Sequence, residues 1–184
     1  MTIVLCRHGA TDGNVAGGFL SRRDPSLNAR GREQSERVHA ALSEIAFHHG
    51  FCSPMRRCVE TFEIVAPGTP FRREAALREV DFGTWEGRTI AWLEANDAAA
   101  VAQRRHDPVT FRPAGGESFL DASRRLRPFA DAVLANATHN VFIVGHRGSL
   151  GVLERLLRGL PLESRAVVPL EPGEFRIIEL AKSS

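Results

Sequence analysis

Two continuous runs of apolar residues constrain the fold of this chain more than any other feature of its sequence. The runs cover residues 3–6 and 141–144, near opposite ends of the chain, and neither shows polar alternation. Short runs of this kind are typical of strands that are buried on both faces, as they are in parallel sheets. Amphipathic helical patterns alternate with strand-like runs between them, which predicts an α/β fold around a mostly parallel central sheet.

The same patterns predict where the elements begin and end. Asn28 is a suitable N-cap for a helix, and Ser53 with Pro54 is typical of an N-cap followed by proline at the first helical position. Pro128 is expected to bend or split the helix that contains it. Strands are predicted at residues 2–6, 47–52, 70–72, 141–144, 167–170 and 175–180, and helices at residues 29–46, 54–66, 89–105, 118–135 and 150–157.

Length and composition limit the chain to a few classes of protein. With 184 residues, of which 43% are hydrophobic, the chain is long enough for one substantial core, so we expect a single domain over residues 1–184. Cys6, Cys52 and Cys58 show neither paired nor metal-like spacing, which favours a reducing, cytoplasmic setting. The N-terminus lacks the pattern of a secretory signal, and no apolar run is long enough to cross a bilayer, so we expect no membrane partner.

The charge pattern does not indicate a nucleic-acid partner. The formal net charge is +2, and the paired arginines along the chain are typical of solvated faces. No tyrosine is present, and aromatic residues are not interleaved with basic ones as they are in base-stacking surfaces. We therefore expect no binding of nucleic acid.

Charged residues and glycine follow both apolar runs directly. The first run ends in Arg7-His8-Gly9, and the second ends in Gly145-His146-Arg147-Gly148. Because the carboxyl ends of parallel strands meet at one edge of the sheet, where open α/β sheets bind ligands, we expect His8 and His146 to share a pocket. Arginine provides a fork of donors for a phosphate or carboxylate, and histidine can attack or transfer protons. Either motif alone is weak, but the two together predict anion chemistry.

A third strand end and a later loop add candidate residues. Residues 53–57 follow the second predicted strand, so a helix N-terminus and one of two neighbouring arginines can face the same pocket. The loop over residues 77–88 carries Glu79, Asp81 and Glu86 as candidate acids or bases. Residue types alone do not rank these carboxylates, because each can also be a surface charge or a helix cap.

Six motifs lie in order along almost the entire chain. They are Arg7-His8-Gly9-x-Thr11-x-x-Asn14, Leu27-Asn28-x-x-Gly31-x-x-Gln34, Ser53-Pro54-Met55-x-Arg57-x-x-x-Thr61, Leu77-x-Glu79-x-x-Phe82-Gly83-x-Trp85-Glu86-Gly87, Gly115-Gly116-Glu117-Ser118 and Gly145-His146-Arg147-Gly148. Together they resemble the histidine phosphatase superfamily, the phosphoglycerate-mutase-like group (branch 1), and six ordered motifs make coincidence implausible. The resemblance implies a single-domain, three-layer α/β/α sandwich with a mostly parallel central sheet.

The resemblance also implies a role for each residue at a matching position. His8 is implied to be the nucleophile that becomes phosphohistidine, and Glu79 the proton donor that later activates water. Arg7, Arg57 and His146 are implied to hold the phosphoryl oxygens. Because positive side chains around the equatorial oxygens are sufficient for this chemistry, we expect no metal and no cofactor. The attacking nitrogen of His8 must be unprotonated, so we expect its other ring nitrogen to donate to an acceptor in its own loop.

Residues around this centre are candidates for selecting the substrate. Thr11 and Asn14 match positions that contact the phosphate or the substrate, with turn formation as the alternative. Many relatives have glutamate at the position of Ala10 and glycine at that of Arg147. Arg147 therefore adds a cation at the rim, which either reads a second anionic group or pairs with a surface carboxylate. Arg22, in a cationic loop, is the first candidate for substrate selection.

We expect a metal-independent phosphomonoesterase that acts on a small phosphorylated metabolite, such as a phosphosugar, a phosphoglycerate derivative or a ribazole phosphate. A mutase is the nearest alternative, because the same chemistry can return the phosphoryl group to another hydroxyl when water is excluded. The family's mutases are usually longer, with an insertion and a C-terminal tail. A non-catalytic phosphate-binding module and a phosphoprotein phosphatase are further alternatives, and the oligomeric state, monomer or homodimer, stays open.

Overall fold

A mostly parallel sheet organises the part of the chain that the computed structural model describes, residues 2–15, 17–136 and 138–180, without the side chains of residues 14 and 15. The strands are β1 (Thr2–Arg7), β2 (His49–Cys52), β3 (Phe71–Arg73), β4 (Val141–Gly145) and β5 (Phe175–Glu179). Their order in the sheet is β3-β2-β4-β1-β5. The first four are parallel to their neighbours, and β5 runs antiparallel to β1 at one edge. The predicted sheet is therefore confirmed.

Helices cover both faces of this sheet. Ile3 and Leu5 of β1 pack in one apolar cluster, and Val4 and Cys6 pack in another, because successive side chains of a strand point to opposite faces. The helices are α1 (Asp12–Val15), α2 (Ala29–Ala41), α3 (Arg56–Val65), α4 (Ile90–Asn96), α5 (Ala98–His106), α6 (Phe119–Ala135) and α7 (Arg147–Leu157). The first cluster includes residues of α6 and α7, and the second includes residues of α2 and α3. The chain thus forms one α/β domain with the three predicted layers.

Several predicted boundaries were wrong. The helix expected to reach residue 46 ends at Ala41, although Ile45 still packs against the core from the turn that follows. The helix expected at Pro54 begins at Arg56, with Met55 as an N-cap that makes no side-chain bond. Residues 167–170 form no strand. Helix α6 runs from Phe119 to Ala135 with Pro128 inside it, so the proline does not split the helix.

The register of the strands brings three chain segments to one edge of the sheet. Arg7 at the end of β1 lies opposite Gly145 at the end of β4, and Cys52 at the end of β2 lies opposite Val144. The residues that follow these strands therefore emerge side by side, as the sequence predicts. None of the helices in the described ranges is long and apolar enough to cross a membrane.

Candidate active site

His8 follows β1 and is almost completely buried at this edge. Its Nδ1 lies 2.7 Å from the carbonyl oxygen of Gly9, which is an acceptor in its own loop, as predicted. Nδ1 therefore carries the hydrogen, and Nε2 carries the lone pair. Burial lowers the pKa of His8 well below its usual value, and the charge of Arg57 adds to this effect. The ring is consequently held neutral, with an unprotonated nitrogen available for attack.

Two glycines allow the His8 loop to approach helix α2 closely. A Cβ atom on Gly9 would lie 2.3 Å from the oxygen of Gly31, and one on Gly31 would lie 2.2 Å from the oxygen of Ala10. Gln34, one turn further along α2, accepts a hydrogen bond of 2.8 Å from the Ala10 amide. The second sequence motif is thus a backbone support for the loop that holds His8.

Arg57 is the centre of the site. It follows the end of β2, at the start of α3, and is completely buried. Its Nε donates to Nε2 of His8 over 3.3 Å, and its NH2 group donates to Nδ1 of His146 over 3.2 Å. The third guanidinium nitrogen donates to the backbone oxygen of Arg23 over 2.8 Å. One guanidinium therefore joins both histidines, whereas its neighbour Arg56 is exposed and pairs with Glu60.

His146 follows β4, and its ring packs edge-on against that of His8 with 5.1 Å between centroids. Because Nδ1 accepts from Arg57, the network assigns the hydrogen to Nε2, which lies 2.9 Å from Oγ of Ser53. Burial lowers the pKa of His146 well below its usual value, with Arg57 and His8 contributing further. Ser53 was predicted as a helix cap; its hydroxyl accepts from the amide of Met55 over 3.4 Å and also contacts this histidine. The buried thiol of Cys58 lies 3.5 Å from the same Nε2.

Arg7 completes a group that we call the arginine–histidine cluster: Arg7, His8, Arg57 and His146. Arg7 is 7% exposed, and its NH1 donates to the oxygen of Leu170 over 2.9 Å. Its Nε is buried and has no hydrogen-bond partner among the described residues. Burial lowers the pKa of Arg7 from its usual value. An unpartnered donor beside two neutral imidazoles is suited to an anionic oxygen.

Glu79 lies beside this cluster and accepts three backbone hydrogen bonds. Its Oε1 accepts from the amides of Val80 and Ser149, both at 2.9 Å, and its Oε2 accepts from that of Gly148 at 3.1 Å. The last two amides belong to the first turn of α7, which favours a carboxylate. A Cβ atom on Gly148 would lie 2.7 Å from Oε1, so the glycine of the last motif makes room for Glu79.

The other two candidate carboxylates lie in structural contacts. Asp81 pairs with Arg22 and accepts from the Gly83 amide, and Glu86 accepts from both the amide and hydroxyl of Ser21. Partial burial raises the pKa of Glu86, but hydrogen bonds from Ser21 and neighbouring amides lower it by more, so the pKa lies below its usual value. Only Glu79 of the three lies in the wall of the cavity described next.

A cavity of about 650 Å³ opens at Arg7 and His8 of the arginine–histidine cluster. Arg57 and His146 are buried and do not line it, so His146 contacts His8 but does not share the cavity wall with it as the sequence predicted. Arg7, His8 and Glu79 lie at one end of the cavity, and apolar side chains form much of the remaining wall. These include Phe19, Leu20, Phe82, Val109, Phe119, Leu162, Val167 and Val168. Its size and its mixture of apolar walls with a few polar groups are typical of a small-molecule site.

The residues predicted to select the substrate are distributed unevenly around this cavity. Arg147 lies in its wall and forms an ion pair with Glu171, which is one of the two roles left open for it. Thr11 is buried in the loop after His8, and the side chain of Asn14 lies outside the described residues. Arg22 is 57% exposed, pairs with Asp81 at 3.0 Å and is not part of the cavity wall. The structure therefore does not bring Arg22 to the site.

The fold and the paired histidines indicate the class of the protein, an enzyme of phosphoryl chemistry. The model of the histidine phosphatase superfamily (branch 1) matches residues 3–184. The chain therefore belongs to the histidine phosphatase superfamily, and the family predicted from the sequence is confirmed.

Relatives within the superfamily have three different activities. An adenosylcobalamin/alpha-ribazole phosphatase of Escherichia coli is 30% identical over 98% of this chain and 90% of its own. A glucosyl-3-phosphoglycerate phosphatase of Mycobacterium tuberculosis is 30% identical over 87% and 76%. A 2,3-bisphosphoglycerate-dependent phosphoglycerate mutase of Beijerinckia indica is 29% identical over 99% and 93%. The solved alpha-ribazole phosphatase of Shigella flexneri superposes with a TM-score of 0.87 at 31% identity, covering 99% of this chain and 92% of that one.

Proposed function

We propose that this protein is a metal-independent phosphomonoesterase that hydrolyses a small phosphorylated metabolite through a phosphohistidine on His8. The observation that carries the proposal is the arrangement around Arg57, whose buried guanidinium donates to both His8 and His146. The unpartnered Nε of Arg7 lies in the same cluster. A phosphoryl group entering the cavity meets the guanidinium of Arg7 and the neutral nucleophile His8, and the guanidinium of Arg57 is within hydrogen-bond distance of His8.

In the first proposed step, Nε2 of His8 attacks the phosphorus in line with the ester oxygen. A bond forms between nitrogen and phosphorus while the bond between phosphorus and the ester oxygen breaks. Arg57 turns from the histidines to the equatorial oxygens, and Arg7 and His146 also bind them. The leaving oxygen takes a proton from Glu79, which becomes a carboxylate in this step.

In the second proposed step, water replaces His8 on the phosphorus. Glu79, now a carboxylate, takes a proton from the water as its oxygen attacks the phosphohistidine. The bond between nitrogen and phosphorus breaks, inorganic phosphate leaves, and His8 regains its lone pair on Nε2. The hydrogen bond from Nδ1 to the oxygen of Gly9 holds the ring in one tautomer through both steps.

The cavity supports a small molecule rather than a phosphoprotein as the substrate. Its volume of about 650 Å³ is in the range of pockets for metabolites and cofactors. The names of the relatives include the phosphoglycerate-derivative and ribazole-phosphate classes, and the phosphosugar class also stays a candidate because the cavity is large enough for a metabolite. We place the enzyme in the cytoplasm, since Cys6, Cys52 and Cys58 are all free thiols.

A mutase is the second candidate, because a mutase is among the relatives. The match to the mutase of Beijerinckia indica extends over 200 residues, more than the 184 of this chain. The mutase therefore has additional residues within the matched region, as expected of an insertion that shields the pocket from water. This chain lacks those additional residues, so its pocket is less shielded from water. Hydrolysis, in which water accepts the phosphoryl group, is therefore favoured for this chain.

Trapping of the intermediate tests the proposal. The wild-type protein incubated with a labelled phosphate ester should acquire acid-labile label and release free phosphate in the presence of a metal chelator. His8→Ala should do neither. With an ester whose leaving group needs no acid, Glu79→Gln should accumulate label, because its first step still proceeds and its second step lacks a base. Phosphate release that persists in His8→Ala would contradict the nucleophile assignment, and transfer of the label to a second hydroxyl compound would favour a mutase.

A further inference from the structure

The cavity extends well beyond the space that a phosphoryl group needs, along one face of helix α7. Arg147, Gly151 and Arg155 follow one another at intervals of four residues in its wall, which places them on one face of the helix. The span from Arg147 to Arg155 is about 12 Å at 1.5 Å per residue. Arg147 marks the phosphoryl end, because its partner Glu171 also contacts Arg7.

The far end of the cavity carries positive charge without carboxylate partners. We define the far end as Arg155, Arg165 and the wall residues 162–168. Neither arginine has a carboxylate within 4.0 Å among the described residues, although Glu163 is a neighbour in the same wall. Arg165 is exposed, and no hydrogen bond or ion pair joins it to another described residue. A cation left unpaired in a cavity wall is suited to an anionic group of a ligand.

Arg155 provides a second, independent observation. Its NH1 donates to the oxygen of Gly151 over 2.8 Å, and its NH2 donates to the oxygen of Ser164 over 2.6 Å. Its Nε is buried and unpartnered among the described residues, which is costly unless a partner arrives. The side chain thus fixes the 162–168 wall to α7 while keeping one donor unsatisfied.

Gly151 leaves the passage between the two ends open. Glycine inside a helix costs about 1 kcal/mol relative to alanine, so its presence needs a reason. A Cβ atom there would meet only the NH1 of Arg155, at 3.5 Å, which is an ordinary contact. Packing within the protein therefore does not require this glycine, and the space that it leaves belongs to the cavity.

We propose that the cavity binds its substrate at two points, with the phosphoryl group at His8 and a second anionic group at Arg155 and Arg165. The substrate class is an extended phosphate monoester that carries a carboxylate or second phosphate about 12 Å from the first. Its body passes over Gly151 and contacts apolar side chains, among them Val152 and Val167. The inference rests on the proposed function, since it assigns the phosphoryl end to His8.

A series of synthetic esters measures the distance between the two points. Alkyl phosphates from ethyl to dodecyl are compared with ω-carboxyalkyl phosphates of equal chain length. We expect the carboxylate to raise kcat/KM about tenfold near the octyl length, because a hydrogen bond to a charged group contributes at least that factor. Shorter and longer chains should show little difference between the acid and the plain alkyl ester.

Two variants test the residues that form the second point. Arg165→Gln, in an exposed loop, should remove most of the advantage of the carboxylate at the octyl length. Gly151→Leu should lower kcat/KM for the octyl esters far more than for ethyl phosphate, because its side chain fills the passage. The matched control is Arg124→Gln, because the Arg124 side chain is 72% exposed and lies outside the cavity. This variant should change neither the ratio of kcat/KM between the acid and the alkyl ester nor the ratio between octyl and ethyl esters.

Binding measured on His8→Ala separates this inference from the proposed function. Calorimetric titration with octyl phosphate and with ω-carboxyoctyl phosphate measures the Kd of each compound without turnover. The carboxylate, which binds at the second point, should lower Kd about tenfold. An equal Kd for acid and alkyl ester at every length would overturn the two-point site, even in an active phosphatase. A clear preference for the acid in His8→Ala, together with a wild-type protein that forms no phosphohistidine, would sustain the site and refute the proposed function.

Discussion

At the arginine–histidine cluster, Arg57 and His146 are completely or almost completely buried, and each has several hydrogen-bond partners. At the far end of the same cavity, Arg165 is exposed, and Val168 is 63% exposed. The cluster comes from the ends of strands, whose positions the sheet fixes, whereas the far end comes from Arg155 of α7 and from the loop that follows this helix. Phosphoryl transfer depends on precise geometry, so it needs the rigid region, and recognition of the rest of the substrate does not.

The arginine–histidine cluster depends on one guanidinium, that of Arg57, and replacing this residue is the strongest test of the cluster. Replacing Arg57 with alanine should lower kcat/KM for a simple ester by roughly a thousandfold, because both histidines lose their shared donor. Lysine should not restore activity, since a single ammonium group lacks the fork of donors. Steady-state kinetics with a chromogenic phosphate ester provide the measurement. Arg56→Ala, an exposed neighbour paired with Glu60, is the matched control and should stay close to wild type.

Rigidity of the cluster should also depend on the contact between the His8 loop and α2. Gly31→Ala forces a methyl group against the oxygen of Ala10, which should displace the loop and lower kcat about a hundredfold. The free energy of unfolding should fall by about 1–3 kcal/mol. Chemical denaturation and kinetics measure both effects, and Glu36→Ala, at an exposed position of the same helix, should show neither. Full activity in Gly31→Ala would mean that the loop does not need this support.

The same comparison explains what the sequence could predict. The pattern of apolar runs identified β1 and β4 and placed His8 and His146 together, because strand ends are a local signal with a global consequence. The ranking of Glu79 above Asp81 and Glu86 came from family resemblance, since only the tertiary contacts with α7 distinguish them.

Sequence patterns failed where a long-range partner decides the role of a residue. Ser53 has the features of a helix cap, and its hydroxyl does accept from the Met55 amide. The same hydroxyl also contacts His146, which no local pattern indicates, and the helix begins three residues later at Arg56. Which of Arg56 and Arg57 faces inward is likewise decided by the two histidines that Arg57 meets. The sequence does not predict how far the cavity extends along α7. Gly151 is the only residue that relates to it, and a single glycine does not indicate a cavity.

Burial of the two histidines should make stability depend on pH. Their pKa values are lowered by burial in the folded protein, while in the unfolded chain they titrate near the ordinary value of about 6.5. Below about pH 6.5 the unfolded state therefore binds more protons than the folded state, and the free energy of unfolding falls as pH falls. Denaturation curves across this range measure the slope. His8→Gln should reduce it, whereas replacement of the exposed His106 should not.

The smallest effect is expected at Arg22, which the sequence made the first candidate for substrate selection. Its guanidinium pairs with Asp81 and donates to the oxygen of Gly115, so Arg22→Ala should cost at most about 1 kcal/mol of stability. The ratio of kcat/KM between ethyl and ω-carboxyoctyl phosphate should change by less than about twofold, because the side chain lies outside the cavity. Arg147→Ala, inside the wall, provides the contrast and should alter KM for both esters. A large change in that ratio for Arg22→Ala would show that the loop around it reaches the substrate, and recognition would then extend beyond the far end of the cavity.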